Sequence, residues 1–142
     1  ERRRRGRRWR RFSGEKSAEL NEAAKAVRDQ VQTFTTPVEL FKRIGPQTFP
    51  EKFLVLAAWH EAAAAQAGAD RAFSGRLLVN ALVELGETPP ANPARDVQQA
   101  LAQGWLARTG HRQLNVTNTG WLHVKEMLTG GGEDSDDEVV LV

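Results

Sequence analysis

From residue 17 onward, apolar positions recur at helical spacing through most of the chain. Leu20, Ala24, Val27, Val31 and Phe34 stand four, three, four and three residues apart, so they share one face of a helix over 17–34 behind a Ser17 cap. The stripe is too short for a coiled-coil seam, which leaves packing on the following domain or pairing with a second copy or partner protein. A short second helix follows, capped by Thr36, opened by Pro37, with Leu40, Phe41 and Ile44 inward, and ended by Gly45-Pro46. A third runs from Pro50 to Gln66. Phe53, Leu54, Leu56, Ala57, Ala58 and the alanines 62–65 make it apolar around most of its circumference, as expected of a helix in the middle of a fold. Gly68 stops it. Ser74 caps a further helix with Leu77, Leu78, Ala81, Leu82 and Leu85 as its apolar side, stopped by Gly86.

Pro89-Pro90 cannot lie within a helix, because each removes a donor and biases the residue before it. Asn92 then caps and Pro93 opens another helix, with Val97, Ala100 and Leu101 buried and Gly104 closing it. Here the period changes from helical to alternating. Trp105-Leu106-Ala107 and Gln113-Leu114-Asn115-Val116 read as two strands joined by the glycine-containing loop 108–112. Thr117 or Asn118 caps a last helix that carries Trp121, Leu122, Val124, Met127 and Leu128 and ends at Gly130. The pattern predicts a mainly α fold with a small β-hairpin.

Charge divides the chain differently. Residues 1–16 hold nine Lys/Arg and two Glu, and residues 131–142 hold five acids and no base, whereas 17–44 and 45–130 are each neutral. The expected organisation is a disordered basic arm over 1–16, a helical extension over 17–45, a folded domain over 46–129 and a disordered acidic tail over 130–142. In the arm, Arg2, Arg3, Arg4, Arg5, Arg7, Arg8, Arg10 and Arg11 surround Trp9 near Phe12. Guanidinium groups bind phosphate in pairs of hydrogen bonds and aromatic rings stack on bases, so the arm suits a polyanion; it also reads as a solubilising or sorting segment.

Catalytic chemistry finds little support. There is no cysteine, which excludes disulfides, thiolate zinc and cysteine nucleophiles. His60, His111 and His123 lack metal-ligand spacing, and His60-Glu61 has Ala64 where a zinc-protease motif needs its second histidine. There is neither a nucleophile elbow nor a phosphate-cradling glycine loop, and Trp59, Trp105 and Trp121 suit a core. The expectation is a binding module with no cofactor and no enzyme activity. No apolar run reaches the roughly 18 residues of a membrane span, so a cytoplasmic protein without membrane contact is expected, nucleoid-associated if prokaryotic.

Four features in this order carry a family resemblance. They are the entry from Thr48 to Lys52 into an apolar helix, Phe73-Ser74 before the next, Asn92-Pro93 before the third, and Gly104-Trp105-Leu106 leading to Leu114-Asn115-Val116-Thr117-Asn118-Thr119-Gly120. Over residues 46–129 the chain resembles small prokaryotic proteins of the winged helix-turn-helix superfamily. That resemblance implies a recognition helix over 93–103 and a wing at the hairpin. Taking Val97 and Leu101 as buried, about 100° per residue turns Arg95 and Gln99 outward with Gln98 on the flank. Arg and Gln make two-pronged contacts to guanine and adenine edges in the major groove. Arg108, His111 and Arg112 at the wing would meet phosphate or the minor groove. The resulting reading is a DNA-binding module of regulatory or architectural type, its arm adding salt-sensitive affinity. The other reading is a protein–protein adaptor acting through the wing and the tail. The folded domain is neutral, and five acids followed by Val139-Val140-Leu141-Val142 suit addition to a partner's sheet edge.

Overall fold

A computed structural model of the chain describes residues 18–130. Among them run six helices and one two-stranded antiparallel sheet. The helices are α1 (residues 18–31), α2 (Pro37–Ile44), α3 (Phe49–Ala67), α4 (Gly75–Glu84), α5 (Pro93–Ala102) and α6 (Asn118–Thr129). The strands β1 (Leu106–Gly110) and β2 (Gln113–Val116) lie between α5 and α6. The chain is therefore mainly helical with a small hairpin, as its periodicity predicts. The charged segments 1–17 and 131–142, including the arm's arginines and the acidic tail, lie outside the described residues.

Local chemistry sets the helix ends. The Thr36 hydroxyl accepts from the Glu39 N–H at 3.2 Å, and the Glu39 carboxylate accepts from the Thr35 N–H at 3.0 Å. Thr48 and Glu51 repeat this reciprocal arrangement at the start of α3, with the Glu51 carboxylate on the Gln47 N–H at 3.1 Å. Ser74, Asn92 and Thr117 cap α4, α5 and α6 through the N–H groups of Leu77, Arg95 and Gly120. At the end of α5, Gly104 takes φ 82°, which lets Trp105 N–H reach the Ala100 carbonyl at 3.0 Å while Gly104 N–H reaches Leu101. This closure uses the Trp105 backbone, so β1 begins one residue later than the hydrophobic pattern suggests.

The core is built around α3. Residues 53–58 are all buried, and α3 packs against α2, α4, α5, α6 and β2. Burial on most sides explains why this helix is apolar around most of its circumference. The stripe of α1 is used within its own chain: Ala24, Val27 and Val31 are buried in the common core, and Gln32 Nε2 donates to the Ala62 carbonyl at 2.9 Å. The buried part of that apolar face is therefore covered within the chain. The helix stops at 31 rather than 34. Thr33 Oγ1 donates back to the Gln30 carbonyl, and the next helix needs extended backbone at Thr36 for its cap, so Phe34 falls in the connecting turn. Leu20, at the other end of the stripe, is exposed.

In the sheet, Leu106, Ala107 and Arg108 pair with Val116, Asn115 and Leu114, and Gly110 pairs with Gln113, leaving a bulge at Thr109. Arg112 closes the turn at φ 56°. Phe73 adds a one-residue bridge on the other side of β2, exchanging hydrogen bonds with Leu114 at 3.0 and 2.7 Å. The start of α4 is thereby tied to the base of the hairpin. The first turn of α6 presses on the same region: Thr117 N–H donates to the Trp105 carbonyl at 2.9 Å, and its hydroxyl bonds the Gly104 carbonyl. Gly120 sits so close to the Trp105 carbonyl that no Cβ fits there.

Candidate functional site

The Phe73–Leu114 bridge and the packing of α4 on α5 hold three segments around one groove of about 400 Å³. The first turn of α4 contributes Ser74, Gly75 and Arg76. The start of α5 contributes Pro93, Ala94, Val97 and Gln98, and the hairpin contributes Arg108, Arg112 and Leu114. Leu114 and the half-buried Val97 form the apolar floor, and the exposed Arg76, Arg108 and Arg112 form the rim. No acidic residue is among those lining it. Among the described residues, none of these three arginines has an ion-pair partner.

The sequence-derived candidates divide into three groups. Gln98, Arg108 and Arg112 line the groove together. Arg95, Gln99 and His111 are exposed but do not line it; the first two lie on the outer side of α5 and the third at the hairpin turn. Arg2, Arg3, Arg4, Arg5, Arg7, Arg8, Arg10 and Arg11 fall outside the described residues. The orientation of α5 also differs in detail from expectation. Its buried residues are Asp96 and Ala100, with Val97 and Leu101 half-buried. An aspartate on the inward face hides the true stripe from a count of apolar residues. The rotation brings Gln98 from the flank to the groove and leaves Arg95 facing outward. Asp96 is only 5% exposed, so its charge does not lie on the outer face beside Arg95.

Sequence reasoning missed Arg76. Its position was legible, in the first turn of a helix capped by Ser74. What was not legible is that Phe73 pairs with Leu114 and so brings that turn beside the hairpin.

Behind the hairpin, Glu61 of α3 is 2% exposed. Its Oε2 accepts from the Val116 N–H at 2.5 Å and from Asn115 Nδ2 at 3.0 Å, and Asn115 Oδ1 accepts from Thr109 Oγ1 at 2.7 Å. Burial pushes the Glu61 carboxyl above its ordinary value; the bonds from Val116 and Asn115 and the nearby charges of Arg71 and Arg28 pull the other way. One buried carboxylate thus anchors β2 and, through Asn115, the bulged part of β1.

The histidines serve different contacts. His123 stacks on Trp105 at 4.3 Å and approaches Glu51 at 3.3 Å, while His60 meets the edge of Phe73. Trp121 is buried, and Trp59 and Trp105 pack partly buried against the core. Among the described residues, no group of three or more His, Asp or Glu side chains is arranged to hold a metal ion, and no helix is long and apolar enough to cross a membrane. In comparisons with known proteins, no family model, no curated protein and no solved structure matches the chain.

Proposed function

We propose that this chain is a DNA-binding module of the winged helix-turn-helix type, with α5 as the helix that enters the major groove and the β1–β2 hairpin as the wing. The observation that carries this reading is the groove at the junction of α4, α5 and the hairpin, rimmed by three arginines without an ion-pair partner among the described residues and with no acid among its lining residues. The order of elements supports it: α3, the Phe73 bridge, α4, α5, then the hairpin. Ten residues make α5 about 15 Å long, and a major groove about 12 Å wide admits such a helix. Arg95, Gln98 and Gln99 are exposed on it and are able to form two-pronged contacts with base edges. Arg76, Arg108 and Arg112 would neutralise phosphates on either side and fix the register. The basic arm would add affinity without sequence preference.

The test is duplex DNA binding by the full chain, followed by fluorescence anisotropy over a range of salt, for the wild type and for Arg76→Ala, Arg108→Ala and Arg112→Ala. Each substitution should weaken binding to all sequences and reduce the slope of log affinity against log salt by about 1. All three arginines are exposed, so the fold should be retained. Three variants that bind DNA with wild-type affinity and slope would refute this use of the groove. A chain that binds no duplex at low salt would favour a protein-binding module instead.

A further inference from the structure

A second cavity, bordered by β2, plays no part in the reading above. Its volume is about 630 Å³; it is open to solvent on one side and lined by α1, α3, the segment after α3, β2 and the start of α6. At about 30 Å³ per water it has room for on the order of twenty waters, or for a small molecule with part of its hydration. Its lining carries both signs of charge. Arg28 and Arg71 supply guanidinium groups, and neither has an ion-pair partner among the described residues. Lys25 is already 3.8 Å from Asp29. Glu61 supplies a carboxylate whose Oε2 is taken by Val116 and Asn115, while its Oε1 accepts no hydrogen bond among the described residues. Trp121 and Ala24 add apolar wall.

We infer that this cavity binds a small zwitterion of the α-amino acid class, its carboxylate between Arg28 and Arg71 and its ammonium against Glu61. A plain anion would satisfy the arginines but meet Glu61 and Asp70. A plain cation would satisfy the carboxylates but meet both arginines. A molecule that carries an ammonium and a carboxylate on one carbon satisfies both sets, and an ion fully paired on entry avoids the cost of an uncompensated charge near a buried carboxylate. The position of Glu61 gives occupancy a route to the rest of the molecule, because the same carboxylate holds Val116 and, through Asn115, Thr109 of the hairpin.

The probes are the twenty common α-amino acids, each titrated into the full chain and followed by calorimetry and by the amide and indole NMR signals of Asn115, Val116 and Trp121. At least one should bind saturably and move those signals. Blocking either charge of that ligand, by N-acetylation or conversion to the carboxamide, should weaken it at least about tenfold, as should Arg71→Ala. Arg71 is exposed, so that variant should keep its thermal midpoint; Arg28→Ala is the second variant should it not. The inference is overturned if no amino acid gives saturable binding up to about 10 mM. It is equally overturned if binding survives Arg71→Ala and Arg28→Ala unchanged, or if either blocked derivative binds as well as the parent. None of these outcomes depends on DNA binding.

Discussion

Replacing Glu61 separates its role as a hydrogen-bond acceptor from its role as a charge. Glu61→Leu leaves the buried Val116 N–H without a partner and frees the half-buried Asn115 amide, which can turn towards water. An unsatisfied buried donor costs about 1–3 kcal/mol and the loss of an ordinary hydrogen bond about 1, so the variant should lose about 2–4 kcal/mol. Glu61→Gln keeps one oxygen facing both donors and removes the charge, so it should stay within about 1 kcal/mol of wild type at neutral pH. The two proteins should differ in pH dependence. Burial raises the Glu61 carboxyl above its ordinary value of 4.5, so the folded state holds this proton more tightly than the unfolded state does. Its contribution to stability is fully present below that ordinary value and is lost as pH rises through the folded value. Wild type should therefore lose stability relative to Glu61→Gln as pH rises above the ordinary value of 4.5, and the difference should level off once pH has passed the folded value. Urea denaturation at a series of pH values measures both effects. A Leu variant as stable as wild type, or a wild-type-to-Gln difference that is flat with pH, would refute the assignment of Glu61 as a buried anchor.

Three further outcomes are expected. Gly120→Ala would bring a Cβ within 2.9 Å of Val116 Cγ1 and closer still to the Trp105 carbonyl, so it should cost about 1–3 kcal/mol in chemical denaturation; an unchanged midpoint would show that α6 can shift freely. Val27→Asp places a charge at a position 2% exposed within the chain's own core, so it should lower stability by about 3 kcal/mol or more. A drop in mass by sedimentation with stability retained would instead make α1 an interface between copies. Deleting residues 1–12 removes eight arginines and should weaken DNA binding alike for all sequences while flattening its salt dependence, by about 0.9 of slope for each phosphate the arm neutralises; an unchanged slope would exclude the arm from the polyanion.

The helices were legible because each carries its own start and stop. Thr36, Ser74 and Asn92 act as caps where the sequence places them, Thr117 rather than Asn118 caps α6, and Thr48 caps α3 one residue ahead of the expected start at Pro50; each partner is only three residues away. The hairpin was legible from its change of period, but its first strand was not placed correctly: the Trp105 N–H closes α5 instead of joining β1, and Arg108 to Gly110, expected in the loop, continue β1. What escaped depends on contacts between residues far apart in the chain. The bridge of Phe73 to Leu114 leaves no periodic mark, because a one-residue strand has no alternation to read. Without it, Arg76 looks like any exposed residue in a first helical turn. Glu61 escaped for the opposite reason: a carboxylate within an alanine-rich helix reads as its solvated face, and only the docking of β2 makes it buried. The groove was half legible, since Gln98, Arg108 and Arg112 were singled out but their common wall with α4 was not.

Net charge argued against a nucleic-acid surface, but a sum does not say where the charges lie. Residues 45–130 carry seven bases and seven acids. Glu61 and Asp96 are buried, so their charges do not lie on the surface that a partner meets. Glu87 is paired with Lys52 at 3.0 Å. Glu51, in the first turn of α3, and Glu126, on α6, lie beside His123, and neither lines the groove. That leaves Asp70 and Glu84. Asp70 borders the cavity beside β2, and Glu84 lies at the far end of α4 from its Ser74 cap. Among the bases, only Lys52 and Lys125 lie away from the faces at issue; Arg71 borders the cavity, and Arg76, Arg95, Arg108 and Arg112 lie on α4, α5 and the hairpin. Coulomb interactions between exposed groups fall off over about 8 Å at physiological salt, so a partner at the groove meets the arginines there and not the domain's sum. A neutral total is therefore compatible with a one-sided basic surface. The discriminating quantity is the local potential at α4, α5 and the hairpin, which the three arginine substitutions measure directly.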